Sequence, residues 1–169
     1  MARLNWILDE NKFLTSEEVA RLRKETKKRA MKALKTGAKT AIRDWLVIDL
    51  ILSTGLRVQE AADLKCADFF LDGQRSSLLV QKGKGGRSRL VRFSEEFKQH
   101  LQNYLSWKKH VGEPTAPDSP LVWSTNKKGP ISKRGLQEIF NRCARRAGIE
   151  GHSIHHLRHT FATHLLRAS

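Results

Sequence analysis

Apolar and polar positions alternate with two different periods along the chain, and the change of period divides it. Thr15-Ser16-Glu17-Glu18 has the form of a capping box, with Thr15 as N-cap and Glu18 reaching back. Val19, Leu22, Ala30 and Leu34 follow at helical spacing, and Gly37 supplies a stop. Arg23–Lys39 is crowded with Lys and Arg, which predicts either a solvated or a phosphate-facing helix surface. From Ala41 to Ser53 the chain is apolar on most faces (Ile42, Trp45, Leu46, Ile48, Leu50, Ile51, Leu52), the mark of a central helix. Gly55 breaks it, and a short helix from Val58 to Leu64 is expected next. The period then shortens. Ala67–Leu71, Ser77–Gln81 and Ser88–Phe93 read as three strands of an antiparallel meander, with an Asp72-Gly73 turn and a glycine-rich basic turn, Lys82–Arg87. Helical spacing returns after Ser94, with Phe97, Leu101, Tyr104 and Trp107 or Lys108 facing inward. Three prolines in Gly112–Pro120 make a loop, Leu121-Val122-Trp123 reads as a short buried strand, and Asn126–Pro130 reads as a basic turn. Ser132 starts a helix to about Ala147, stopped by Gly148, and Ser153 starts the last one. The expected class is α+β, mostly α, with a small three-stranded antiparallel sheet.

Composition narrows the function classes. The chain has 169 residues, 39% hydrophobic and 29% charged, which suits a globular chain of one-domain length. No apolar run reaches the roughly 20 residues of a membrane span, and the start lacks a signal-peptide core, so a cytoplasmic protein with no membrane partner is expected. Cys66 and Cys143 stand far apart, and two buried thiols are expected rather than a disulfide framework. Lys and Arg number 32 against 17 Asp and Glu, a net charge of +15. Self-repulsion opposes such an excess, and a polyanion that exchanges its counterions for these side chains explains it. The competing readings are a solubilising surface or a ribosome-associated protein, and charge leaves DNA and RNA undecided.

Three stretches hold polar groups that packing does not require. In Thr54-Gly55-Leu56-Arg57-Val58-Gln59-Glu60, Arg57 has the rigid fork that binds phosphate bidentately, and Glu60 one turn later is placed to hold it. An ordinary surface Arg–Glu pair is the plain alternative. In the second hairpin, Lys82, Lys84, Arg87 and Arg89 surround three glycines that let backbone approach a ligand; one lysine there can protonate a leaving oxygen. The spacing is not that of a Walker A loop. In His152–His164, five of thirteen residues are histidine. His155 and Arg158 share a face, and His155 and His159 have the spacing of a helical metal pair. No glutamate follows His155 and the cysteines stand apart, so no metal is expected; His156 and His164 read as surface or packing groups. Two arginines, a lysine and a histidine suit phosphodiester chemistry, and no paired carboxylates are available for a two-metal nuclease.

Thr54–Leu64, Gly83–Val91 and His155–Leu166, in this order and separation, resemble the tyrosine recombinase, or phage integrase, family over nearly the whole chain from Thr15. The resemblance implies the DNA breaking–rejoining fold and a catalytic domain spanning residues 1–169. It implies that Arg57 and Arg158 grip the scissile phosphate, that Lys84 protonates the 5′-hydroxyl leaving group, that His155 acts as base or orienting group, and that Glu60 supports the site. Lys82, Arg87, Arg89, Lys133 and Arg134 are expected to contact the DNA backbone. Duplex DNA is the implied partner, with nucleoid association, assembly of the full-length form into tetramers on paired sites and a monomer expected for this chain in solution, no cofactor and no small-molecule substrate.

The pattern is incomplete. The family's second His or Trp and its nucleophilic tyrosine come after the second arginine, whereas the sequence ends at Ser169, eleven residues beyond Arg158. Tyr104, the only tyrosine, lies upstream in an apolar stripe and reads as packing. The family's N-terminal DNA-clamping domain is also not seen. Three readings stay open: a fragment of a longer integrase, favoured by an uncapped ending in mid-helix; a shortened reading frame; or a chain that accepts a C-terminal segment in trans. A non-catalytic DNA-binding remnant or regulator is the alternative function.

Overall fold

The computed structural model describes residues 12–73, 75–81 and 84–168, with the side chains of Lys84 and Ala168 outside the description. The chain forms two compact units, one from the chain up to Gly55 together with Gln137 onward, the other Leu56–Leu136. Among the described residues no helix is long and apolar enough to cross a membrane.

In the first unit, α1 (Ser16–Thr36) opens with the expected capping box: the Glu18 N–H donates to Thr15 Oγ1 (3.1 Å) and the Thr15 N–H to Glu18 Oε1 (3.0 Å). Its buried stripe is Val19, Leu22, Thr26, Ala30 and Ala33. Leu34, expected inward, is 52% exposed. One residue turns the helix by about 100°, so Ala33 keeps the core face and Leu34 rotates off it. α2 (Thr40–Thr54) packs against α1 and against α6 (His155–Ala168). Leu46, Val47, Ile48, Leu50 and Ile51 are all but fully buried, as central placement requires. Polar groups enter this unit in pairs. Asp44 on α2 accepts two hydrogen bonds from Arg142 on α5 (Lys133–Arg146), at 2.7 and 3.0 Å. Arg23 on α1 reaches Asp49 on α2, so this member of the basic run serves packing, while Lys24, Lys27, Lys28, Lys32 and Lys35 are exposed. The α5 helix ends in a Schellman turn, with Ile149 N–H on the Ala144 carbonyl (2.8 Å) and Gly148 at φ 70°.

In the second unit, α3 (Val58–Ala62) leads into a 3-10 turn, Cys66–Asp68, and then β1 (Phe69–Phe70). The first predicted strand, Ala67–Leu71, is thus shortened: Ala67 and Asp68 lie in the turn and Phe69–Phe70 pair with β2. Asp68 Oδ2 accepts from the Lys65 N–H (2.8 Å), a local bond that competes with extended backbone. β2 (Ser77–Val80) and β3 (Arg89–Arg92) complete the antiparallel meander in the order β1-β2-β3, with Leu78 opposite both Phe69 and Val91. The core runs from this sheet into α4 (Glu95–His110) through the edge-on rings of Phe69, Phe93 and Phe97. Ser94 caps α4, its hydroxyl accepting from the Phe97 N–H (3.2 Å). β4 (Trp123–Ser124) pairs with β5 (Gly129–Pro130), so the predicted basic turn closes a second small hairpin. Cys143 is buried, but Cys66, expected buried, is only half so; both are free thiols.

Candidate active site

The residues singled out from sequence fall into two local arrangements, one in each unit. In the first, α2 stops at Gly55, whose φ of 66° is the left-handed conformation that glycine adopts at low cost. A Cβ there would come within 2.2 Å of Phe161 Cδ1, so the backbone lies directly on a ring of α6. One turn earlier on α6, Arg158 Nη1 donates to the Gly55 carbonyl (3.0 Å). This bond fixes one arm of a half-buried guanidinium. His155 is exposed three residues before Arg158, in the first turn of α6. Half-buried His159 is held below its ordinary pKa by burial, and further by the charges of Arg158, Lys12 and His155. His156 is more than the surface or packing group expected: its Nδ1 lies 2.9 Å from Nδ1 of His152.

In the second unit, Arg57 precedes α3 in extended conformation, its side chain 43% exposed. Its N–H donates to Glu60 Oε1 (2.8 Å), and its guanidinium stands 3.6 Å from Glu60 Oε2. The stronger grip on Glu60 comes from Arg89 on β3, whose Nη1 and Nη2 donate to the two carboxylate oxygens at 2.5 and 2.9 Å. Burial pushes the Glu60 carboxyl up, but the Arg89 bond, the Arg57 N–H and both arginine charges outweigh it, and its pKa falls below the ordinary value. Sequence reasoning assigned Arg89 to the DNA backbone and missed this role, because a partner 29 residues away leaves no local signal. Lys82 and the Lys84 side chain lie outside the described residues. The Lys84–Gly86 backbone forms a tight turn, with Gly85 at φ 78° and Gly86 at φ 72°. Arg87, Lys133 and Arg134 are exposed.

Two further features bear on the chemistry. Tyr104 is 2% exposed, and its hydroxyl donates to the Leu121 carbonyl (3.0 Å), as a packing tyrosine does. A cavity of about 480 Å³ in the second unit is lined by the carboxylates Glu60, Asp63, Asp68 and Asp118, with Lys65 and Gln81, among apolar walls. Four carboxylates make it unsuited to phosphate. Among the described residues no three His, Cys, Asp or Glu side chains are grouped to hold a metal ion.

The chain matches the model of the phage integrase family over residues 12–169. It is 39% identical over 132 residues to tyrosine recombinase XerC of Staphylococcus saprophyticus, covering 76% of this chain and 42% of that protein. It is 32% identical over 158 residues to tyrosine recombinase XerA of Pyrococcus furiosus, covering 92% of this chain and 48% of that one. A crystal structure of XerH site-specific recombinase bound to difH substrate superposes with a TM-score of 0.73 at 28% identity, over 93% of this chain and 43% of that one. The XerA recombinase crystal structure gives 0.71 at 25% identity, over 93% and 51%. The chain spans less than half the length of these two sequence relatives. With three motifs in family order, a helical fold around a small meander, and a family match across all but the first eleven residues, the chain belongs to the phage integrase family.

Proposed function

We propose that this chain is the catalytic portion of a tyrosine-type site-specific DNA recombinase. The observation that carries the reading is the bond from Arg158 to the Gly55 carbonyl, two residues before Arg57 along the chain. In this reading the two guanidinium groups take the non-bridging oxygens of one scissile phosphate. Cationic donors fixed beforehand stabilise the pentavalent transition state strongly. Glu60 orders the Arg57 end through its backbone N–H. A tyrosine oxygen attacks phosphorus, the 5′-oxygen leaves with a proton from Lys84, and His155 orients or deprotonates the attacking group. The resulting 3′-phosphotyrosyl link conserves the bond energy, and a 5′-hydroxyl of the partner duplex reverses the step.

Tyr104 is not that nucleophile, because its hydroxyl is buried and donates to Leu121. Tyr104 is the single tyrosine of this sequence, so in this reading the attacking group is not among these 169 residues. Assembly on paired sites and association with the nucleoid belong to the same proposal. XerH, a relative at 28% identity, is crystallised with its difH substrate in a pre-cleavage complex, which supports duplex DNA as the partner here.

The test uses a nicked suicide duplex and a denaturing gel. The 169-residue chain alone should bind without forming a covalent adduct, and the chain extended by its downstream coding sequence should form one. An adduct through Tyr104, or no cleavage by the extended chain, would overturn the assignment; the latter would favour a non-catalytic DNA-binding protein. Arg57→Ala should lower affinity for the nicked duplex about tenfold, roughly one charge-assisted bidentate contact, and Lys28→Ala much less. Equal losses would reduce Arg57 to surface charge.

A further inference from the structure

We propose that His152 and His156 form a proton-sensitive clasp that positions the start of α6, and with it His155 and Arg158. The clasp itself is a property of the first unit; its consequence for DNA rests on the reading above.

The two Nδ1 atoms are 2.9 Å apart, with ring centroids at 5.1 Å and planes at 85°. Two ring nitrogens this close need one proton between them, so one donates and the other accepts. The Ser153 N–H also points at His156 Nδ1 (3.3 Å). His156 Nδ1 is therefore the acceptor and its proton sits on Nε2, while His152 donates from Nδ1. The other nitrogen of His152 stands 3.6 Å from Glu18 Oε2. Protonating His156 at Nδ1 removes the acceptor that receives the Ser153 N–H and the His152 Nδ1–H.

The clasp joins two elements at their beginnings. Glu18 simultaneously closes the capping box of α1 through Oε1. Just beyond, the fully buried Thr160 hydroxyl donates to the His156 carbonyl (2.7 Å) and accepts from the Leu14 N–H (2.8 Å). The histidine ring thus sits where the chain entering α1 meets the chain entering α6. The charged and titratable groups facing it are His155 and His159 on α6, His152 in the preceding turn, and Glu18 on α1 through His152; Arg158 and Lys12 act on His159. Burial, then the charges of His152, His159 and His155, hold His156 below its ordinary pKa. In the unfolded chain a histidine binds its proton near pH 6.5. Between that value and the lower folded one the unfolded state holds more protons. The clasp's contribution is therefore complete above about pH 6.5 and declines as pH falls.

Long-range proton–nitrogen spectra of the ¹⁵N-histidine-labelled chain at pH 7.5 read the ring states directly. His156 should be fixed as the Nε2–H form and His152 should carry a proton on Nδ1; a His156 protonated on Nδ1, or averaging between tautomers, overturns the proposal. His156→Asn keeps an acceptor at the Nδ1 position and does not titrate, whereas His156→Leu removes it. Between pH 7.5 and 5.5 the wild-type Tm should fall more than that of His156→Asn, by at most about 2–4 °C, because an ordinary histidine near pH 6.5 limits the change in the folding constant at pH 5.5 to about tenfold. Superposable profiles overturn it, and if His156→Asn does not fold, the wild-type spectra decide alone. At pH 7.5, Arg158→Ala should cost about tenfold in affinity for a nicked duplex in the wild-type and His156→Asn backgrounds, but under threefold in His156→Leu. An equal loss in all three removes the positioning role. No loss in wild type overturns the phosphate reading instead, and the ring spectra still decide the clasp.

Discussion

Lys108 and Glu113 bring opposite charges into the second unit, with side chains 0% and 5% exposed and Nζ 3.4 Å from Oε1. The ammonium also lies 6.0 Å from the Trp123 ring centre. A buried charge stripped of its partner is expensive, whereas an apolar pair of similar volume can be neutral or better. Glu113→Ala should therefore cost about 3–5 kcal/mol in urea unfolding, and the double change Lys108→Met/Glu113→Leu should restore most of it. A cost near zero for the single variant would show that water reaches the pair. Gly55 makes a second prediction at this scale. Gly55→Ala needs both a left-handed alanine and room that Phe161 occupies, so it should destabilise by roughly 2–4 kcal/mol. A loss below about 0.5 kcal/mol would mean that α6 can retreat from this contact.

Helix ends were the most legible feature of the chain, because capping is local chemistry. Thr15, Ser94, Gly37, Gly55 and Gly148 stand where the sequence put them. Gly148→Ala should cost about 1–2 kcal/mol by forcing a side chain into the left-handed position that ends α5, measured by thermal unfolding. An unchanged Tm would show that the turn re-forms without glycine. What the sequence hid was non-local. Asp68 shortens the expected first strand, holding its first two residues in a 3-10 turn through one local bond and one from Gln81 Nε2 on the far side of the hairpin. Lys108 was one of two options for an inward position, and its burial depends on Glu113 across a loop. The site shows the same division. The positions of Arg57, Glu60, His155 and Arg158 followed from motif spacing. The Arg89 grip on Glu60 and the Arg158 bond to Gly55 join residues 29 and 103 positions apart, beyond any window of periodicity.

At the scale of the molecule, the net charge of +15 has one direct physical consequence. If exposed Lys and Arg neutralise about six phosphates, affinity for duplex DNA should drop about 10³-fold between 50 and 200 mM salt, whatever the sequence. Fluorescence anisotropy over that range tests it, and a flat response would point away from a nucleic-acid partner. Phosphate contacts of this kind hold a protein on a duplex without reading bases, so under the proposed recombinase role any discrimination between sites must come from a smaller set of groups.

The tether between Arg158 and the Gly55 carbonyl bears on which substitutions position 158 can accept. A guanidinium has five hydrogens in a rigid plane, so one group can serve the main chain and other partners in fixed directions at once. A lysine at 158 would keep the positive charge, yet its single rotating ammonium has no fixed fork to serve both directions at once. The demand at this position is thus for shape as much as for charge, and Arg158→Lys belongs with the damaging changes rather than the conservative ones.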